Sequence, residues 1–392
     1  MGKVYFITRT FPGISGTGGG ALIRLGQVET FRNNGLDTWI VAPNLSSDKS
    51  ICNEEDKMLL FPFNTKKHLL YSLFDKLGLI EDYSADWISN SLKGLASIVK
   101  ENDTVFCTSG GELGSVILGS KLKKLTGCSF VINFHDPVLN AKAFGKKVRL
   151  KGSRFFHVGR DKTEAKYLQN VDYIYTSSDV YRLSLSEKYP GLKDRIKNVY
   201  FGYINEFNWI NIDEPKIKNP LRIAYGGSMG KEQSPEILAK AVAEMDDVCA
   251  YFFGDISSNE YLKNPVRNVQ IMEYLPYDEY LLFLKENIDM TFMSLDGDLS
   301  HFCVPSKLFE YINLEIPMIA AVAGDAARII ADNKFGLTCD YDEVAVRNAI
   351  GQLAKIENYK LSWQSLRREK SSWAMSKQLE ILVKQLKELT NS

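Results

Sequence analysis

The chain is poor in the residues that hold metals and disulfides, with six cysteines and four histidines among 392 residues. Cys52, Cys107, Cys128, Cys249, Cys303 and Cys339 lie far apart with no Cys-x-x-Cys pair, and several sit in apolar strand-like runs. They read as reduced core residues, neither a disulfide framework nor a metal site. His68, His135, His157 and His301 are equally scattered, and no His-x-x-x-His or acidic cluster carries metal spacing, so no metal is expected. No apolar run approaches the roughly 20 residues that a membrane helix needs. The N-terminus enters the strand pattern Lys3 to Ile7 with no signal-peptide layout, so a cytoplasmic protein is expected. Short-period repeats and low-complexity tracts are missing too.

A net charge is also lacking, but its zero conceals an asymmetry. Residues 1–200 carry 28 Lys and Arg against 20 Asp and Glu, and residues 201–392 carry 20 against 28. The basic excess concentrates between Lys142 and Lys166, where Lys146, Lys147, Arg149, Lys151, Arg154, Arg160 and Lys162 crowd together. Such a cluster suits the anionic inner face of a membrane, which attracts each nearby cation by about 1 kcal/mol. A solvated loop with charged helix flanks explains it as well. Nucleic acid is a weaker partner, since no nucleic-acid motif accompanies the charge. The length exceeds what one hydrophobic core supports, so two domains of similar size are expected. Hydrophobic content of 45% and charge of 24% are those of a globular protein.

Short apolar runs alternate with amphipathic stretches. Val4 to Thr8, Thr38 to Val41, Thr104 to Cys107, Phe130 to Asn133 and Tyr173 to Thr176 read as strands. Gly20 to Arg32, Asp86 to Val99, Leu113 to Leu125 and Asp179 to Tyr189 read as helices. The alternation predicts parallel strands with crossover helices, an α/β doubly wound layer. After a polar passage at about Phe201 to Pro220 the pattern restarts with Leu221 to Tyr225 and continues through Val248 to Phe253, Val269 to Ile271, Met290 to Met293 and Met318 to Val322. Ser372 to Leu389 carries apolar positions at helical spacing.

Within this frame the most informative stretch is Val304-Pro-Ser-Lys-Leu-Phe-Glu-Tyr-Ile-Asn-Leu-Glu-Ile-Pro-Met-Ile-Ala320. Pro305 and Ser306 signal a helix start, with serine able to cap free amides. Lys307 adds a cation to the positive helix end, which suits a diphosphate, and Glu310 can accept hydrogen bonds from ribose hydroxyls. Pro317 stops the helix. The segment resembles the nucleotide-sugar signature of retaining GT-B glycosyltransferases of family 4, in the branch written P-S-K-L-x-E-Y. Many members carry a further glutamate eight residues before the second, and here that position is Phe302.

That resemblance implies a GT-B architecture: two Rossmann-like domains facing across a cleft, with a C-terminal helix crossing back to the N-terminal domain. The expected boundaries are 1–203 for the acceptor-side domain, 204–371 for the nucleotide-sugar domain and 372–392 for the crossover helix. The loop Gly13-Ile-Ser-Gly-Thr-Gly-Gly-Gly20 lets backbone amides approach a ligand, and the resemblance turns Gly19 and Gly20 toward the donor. Phe130-Val-Ile-Asn-Phe-His-Asp-Pro137 ends a strand at His135 and Asp136, where an imidazole can contact a sugar hydroxyl and a carboxylate can touch substrate or brace the loop. By the resemblance His135 touches the donor sugar. In the second domain Ala224-Tyr-Gly-Gly-Ser-Met-Gly-Lys231 resembles the family's diphosphate turn, and places Gly227, Ser228 and Lys231 near the donor. Ser306, Lys307, Leu308 and Glu310 complete that side, with Tyr274 against the base.

The implied activity is metal-independent, retaining transfer of a sugar from a nucleoside diphosphate to a glycan or polyprenyl-linked acceptor, as in cell-surface polysaccharide synthesis, with no cofactor beyond the donor. Two other readings stand beside it. A nucleotide-sugar 2-epimerase would draw on Asp136 and Glu112 as acid and base, and a non-catalytic scaffold would agree with Phe302.

Overall fold

A computed structural model describes residues 2–391 apart from 16–17, 65–69, 72, 76–78, 139–141, 144–145, 148–153, 207–215 and 231. The chain divides into two compact units, one formed by Met1–Phe201 with Gln378–Ser392 and the other by Gly202–Lys377.

In the first unit the sheet is built from β1 (Val4–Ile7), β2 (Thr38–Asn44), β3 (Ile51–Asn53), β4 (Met58–Pro62), β5 (Thr104–Gly110), β6 (Ser129–Asp136), β9 (Tyr173–Thr176) and β10 (Ile196–Asn198). Their order is β10-β9-β6-β5-β1-β2-β4-β3, parallel except for β3 against β4. A small ribbon pairs β7 (Lys142–Ala143) with β8 (Lys146–Lys147). The crossovers are α1 (Gly19–Asn33), α2 (Ala85–Leu95), α3 (Gly114–Thr126), α4 (Arg154–Leu168) and α5 (Asp179–Lys188). Central strands β1 and β5 are buried along nearly their whole length, as expected of a parallel sheet covered on both faces. Phe6, Phe31 and Phe106 pack together beneath α1, with centroids 5.1 to 6.1 Å apart. The chain winds outward from β1 through β2 to β4 and then returns to the other side of β1 at β5. This reversal leaves a crevice at the carboxyl ends of β1 and β5, where ligands of such sheets bind.

The second unit repeats the plan with β11 (Leu221–Gly226), β12 (Val248–Phe253), β13 (Val269–Met272), β14 (Met290–Ser294), β15 (Met318–Ala321) and β16 (Gly336–Thr338). All are parallel, in the order β13-β12-β11-β14-β15-β16. The helices are α6 (Glu236–Val242), α7 (Tyr277–Asn287), α8 (Ser306–Leu314), α9 (Gly324–Asn333), α10 (Glu343–Leu353) and α11 (Ile356–Glu369). One core joins Ile223, Tyr225, Leu238, Phe252, Phe292, Ile319 and Ile350. Here the reversal falls between β11 and β14, so the Gly226 turn and the segment leading into α8 border the crevice.

Three expectations need correction. The segment Ser372 to Leu389 is not one helix: a 3-10 turn at Lys370–Trp373 is followed by α12 (Met375–Gln378) and α13 (Glu380–Asn391). Ala374 is extended because Tyr203 pairs with it, donating to Trp373 O and accepting from Met375 N at 2.8 Å. After this break α13 belongs to the first unit, where Thr390 O accepts from Gly2 N. Helix α8 ends at Leu314, where the C-cap Glu315 adopts φ 55 and Ile316 N donates to Tyr311 O at 3.2 Å, so the helix stops ahead of Pro317. Within the basic stretch Arg160 is buried, bonded to Asp75 at 2.7 Å and near Asp82 at 3.7 Å, so it braces the core rather than the surface. Residues 144–145 and 148–153 of this stretch lie outside the described residues. No described helix is long and apolar enough to cross a membrane.

Candidate functional site

The predicted residues fall into two groups, one at each crevice. In the second unit α8 begins at Ser306, and Pro305 is the N-cap with extended backbone and no side-chain cap bond. Ser306 is therefore the first helical residue and does not cap. The first two amides of a helix have no partner within it, so those of Ser306 and Lys307 remain donors for an anion. Leu308 faces the core: its side chain is fully buried and its amide donates to Pro305 O at 3.0 Å.

Lys307 folds back over the β11 turn. Its Nζ lies 4.0 Å from the centroid of the Tyr225 ring and has no hydrogen-bond partner among the described residues, although it is shielded from solvent. Burial pushes the amine down to about 8, against the opposing pull of Glu310. Glu310 accepts a 3.1 Å bond from Tyr277 on α7, and burial raises its carboxyl above the usual range while Tyr277 and Lys307 hold it down. Gly227, at φ 118, makes room for this lysine: a Cβ there would lie 3.3 Å from Nζ. Gly226 is equally constrained, since a Cβ would strike the Tyr280 hydroxyl at 2.0 Å. Ser228 is exposed, and its carbonyl accepts from the Tyr225 hydroxyl at 2.5 Å. Lys231 lies outside the described residues. Tyr274 is 89% exposed on the β13–α7 loop, with no packing to hold it against a base. Phe302, where many resembled sequences carry glutamate, is 1% exposed, so its position serves packing.

In the first unit Gly19 and Gly20 open α1, and Gly18 ahead of them takes φ 98. His135 and Asp136 end β6 beside the β5 turn, Asp136 pairing with Gly110 across a bulge. His135 is 6% exposed, its ring stands edge-on to Phe201 at 4.6 Å, and Nε2 has no hydrogen-bond partner among the described residues. Burial, reinforced by the charge of Arg24, holds the imidazole well below its ordinary pKa, so it is neutral at pH 7. Glu112 accepts from Gly110 N at 2.9 Å and lies 3.6 Å from Arg9 Nε. It is thus engaged by a turn and a cation.

The sequence reading missed Arg24, Tyr225 and Tyr277. Arg24 could have been noticed as a cation beside the apolar face of α1. The tyrosines give no signal of their own, because a buried tyrosine is an ordinary core residue.

Among solved structures the chain is similar to Anabaena HepE in complex with UDP and glucose, at 12% identity and TM-score 0.68, covering 99% of this chain and 100% of that one. It is also similar to a glycosyltransferase from Rickettsia africae, at 15% identity and TM-score 0.68, covering 99% and 98%. The N-terminal domain of Candida albicans trehalose-6-phosphate phosphatase matches at 11% identity and TM-score 0.69, covering 99% and 97%. No protein-family model matches the chain, and no curated protein matches it in sequence. The two doubly wound units and the full-length similarity make the fold GT-B.

Proposed function

We propose that this chain is a glycosyltransferase that moves a sugar from a nucleoside diphosphate to a hydroxyl of a glycan or lipid-linked acceptor, with retention at the anomeric carbon. The observation that carries this reading is a pair of shielded nitrogens with no hydrogen-bond partner among the described residues, His135 Nε2 and Lys307 Nζ, each beside a glycine turn at the crevice of its own sheet. Leaving buried polar atoms unpaired costs about 1–3 kcal/mol each, a cost that a ligand relieves.

The chemistry divides between the two groups. Lys307 and the first-turn amides of α8 neutralise the diphosphate and stabilise it as it leaves. Glu310 takes the ribose hydroxyls. Neutral His135 exchanges a hydrogen bond with a sugar hydroxyl, without adding a positive charge beside the anomeric carbon. The bond from that carbon to the phosphate oxygen breaks, the bond to the acceptor oxygen forms on the same face, and the acceptor proton passes to the leaving diphosphate. HepE, whose structure holds UDP and glucose, supports a nucleotide-sugar donor. A role in cell-surface polysaccharide synthesis at the inner face of the membrane rests on the sequence resemblance and the basic cluster.

The test is a thermal-shift screen against UDP-, GDP-, dTDP- and ADP-sugars, followed by mass spectrometry of the products with saccharide acceptors. A true donor raises the melting temperature with occupancy, and transfer adds one sugar mass to the acceptor. Stabilisation by none of them would overturn the reading. Conversion of the sugar with no acceptor present would replace it with epimerisation.

A further inference from the structure

We infer that Arg24 is a positioning residue of the first unit, holding the Gly19–Gly20 turn and His135 in one frame. The role of His135 in transfer rests on the function proposed above, but the tie itself does not.

Side chains two apart on a strand share a face, so Thr108 and Gly110 look the same way on β5, as do Asn133 and His135 on β6, apart from the local bulge. Thr108 and Asn133 are register partners. Helix α1 reaches both: Arg24 Nε donates to Thr108 Oγ1 at 3.1 Å, and Gln27 Nε2 donates to Asn133 Oδ1 at 2.8 Å. All four residues are buried. Apolar packing alone would let the helix slide by fractions of an ångström, whereas directed bonds in a dry interior fix its register. Arg24 then adds a third bond, from Nη1 to Gly20 O at 2.8 Å. That bond ties the guanidinium to the first turn of α1, and a Cβ on Gly20 would lie 3.2 Å from Nη1.

The guanidinium also sets the charge around His135. A Cβ on Gly110 would meet Glu112 Oε2 at 3.4 Å and both Arg24 Nη2 and Asp136 Oδ2 at 3.6 Å, so three charged groups converge on one peptide. Arg9, following β1, lies beyond Glu112. Of these groups Arg24 joins burial in keeping the imidazole uncharged, while Glu112 and Asp136 favour the guanidinium. One side chain therefore orients the glycine turn and maintains a neutral histidine.

The experiment needs no nucleotide. Histidine side-chain nitrogen NMR, with His135→Gln to assign the signal, is followed across pH in the native chain and in Arg24→Met, Arg24→Lys and Gln27→Met. Arg24→Met should move the His135 titration to higher pH. Gln27→Met removes the neighbouring tie without a charge and should leave it in place. Arg24→Lys keeps the charge and should hold the titration near native, but it cannot make both bonds, so amide exchange at Ala21 and Leu22, which both donate to Gly18 O, should quicken by about tenfold. Equal shifts in Arg24→Met and Gln27→Met, or native exchange in Arg24→Lys, would overturn the inference. Should Arg24→Met fail to fold, the Arg24→Lys exchange decides. Failure of the donor screen would instead fault the transferase reading and leave these outcomes unchanged.

Discussion

The two crevices solve opposite problems with the same framework. In the first unit burial and Arg24 hold the His135 imidazole neutral, leaving its Nε2 only a hydrogen bond to offer. In the second, burial pushes the Lys307 amine down only to about 8, with Glu310 pulling the other way and the Tyr225 ring 4.0 Å from Nζ. One group suits a neutral hydroxyl, the other an anion. The lesson is that two crevices of the same architecture can present groups of opposite protonation, set by what lies beside each one.

Breaking the cationic side should have the largest effect. Lys307→Met should weaken the best-binding nucleoside diphosphate by about 100-fold, the loss of one or two charge-assisted bonds, as measured by calorimetry. The melting temperature should hold or rise, because a costly buried charge has gone. Breaking the neutral side should act on rate instead. His135→Ala should lower transfer by about 100-fold in kcat with diphosphate affinity unchanged, and a matching loss of affinity would erase the division of labour. Gly227→Ala sharpens the comparison by crowding Lys307 at a left-handed backbone position. Its expected cost is about 1–3 kcal/mol in denaturant melts. Tyr277→Phe should have the smallest effect, about 1 kcal/mol at pH 7. Since Glu310 is raised in the fold, losing its donor raises it further. The defect should therefore shrink as pH falls and the carboxyl protonates.

Much of this arrangement was legible because apolar runs and glycine turns are local signals. The strands β1, β5, β6, β11 and β14 were all anticipated, and with them the crevices at which Gly20, His135, Gly227 and Lys307 sit. The edge strands β3 and β16, and β4 beside β3, were missed, since short, partly exposed strands carry a weak signal. The break at Ala374 was invisible because its cause, Tyr203, lies 171 residues away. Within the second-unit group, Leu308 fell on the core side of α8 and Tyr274 projected into solvent, as motif membership does not say which way a side chain points. Arg24 escaped notice for a related reason. Its meaning comes from Thr108, 84 residues downstream, and no spacing encodes that bond.

The central claim, that Lys307 is a parked cation awaiting a diphosphate, can be tested by carbon NMR of its ε-methylene during a pH titration, with and without bound nucleoside diphosphate. The free protein should titrate near 8. An anion at the amine must move that midpoint upward, because it favours the charged form. A midpoint that stays the same in the saturated complex would contradict the account.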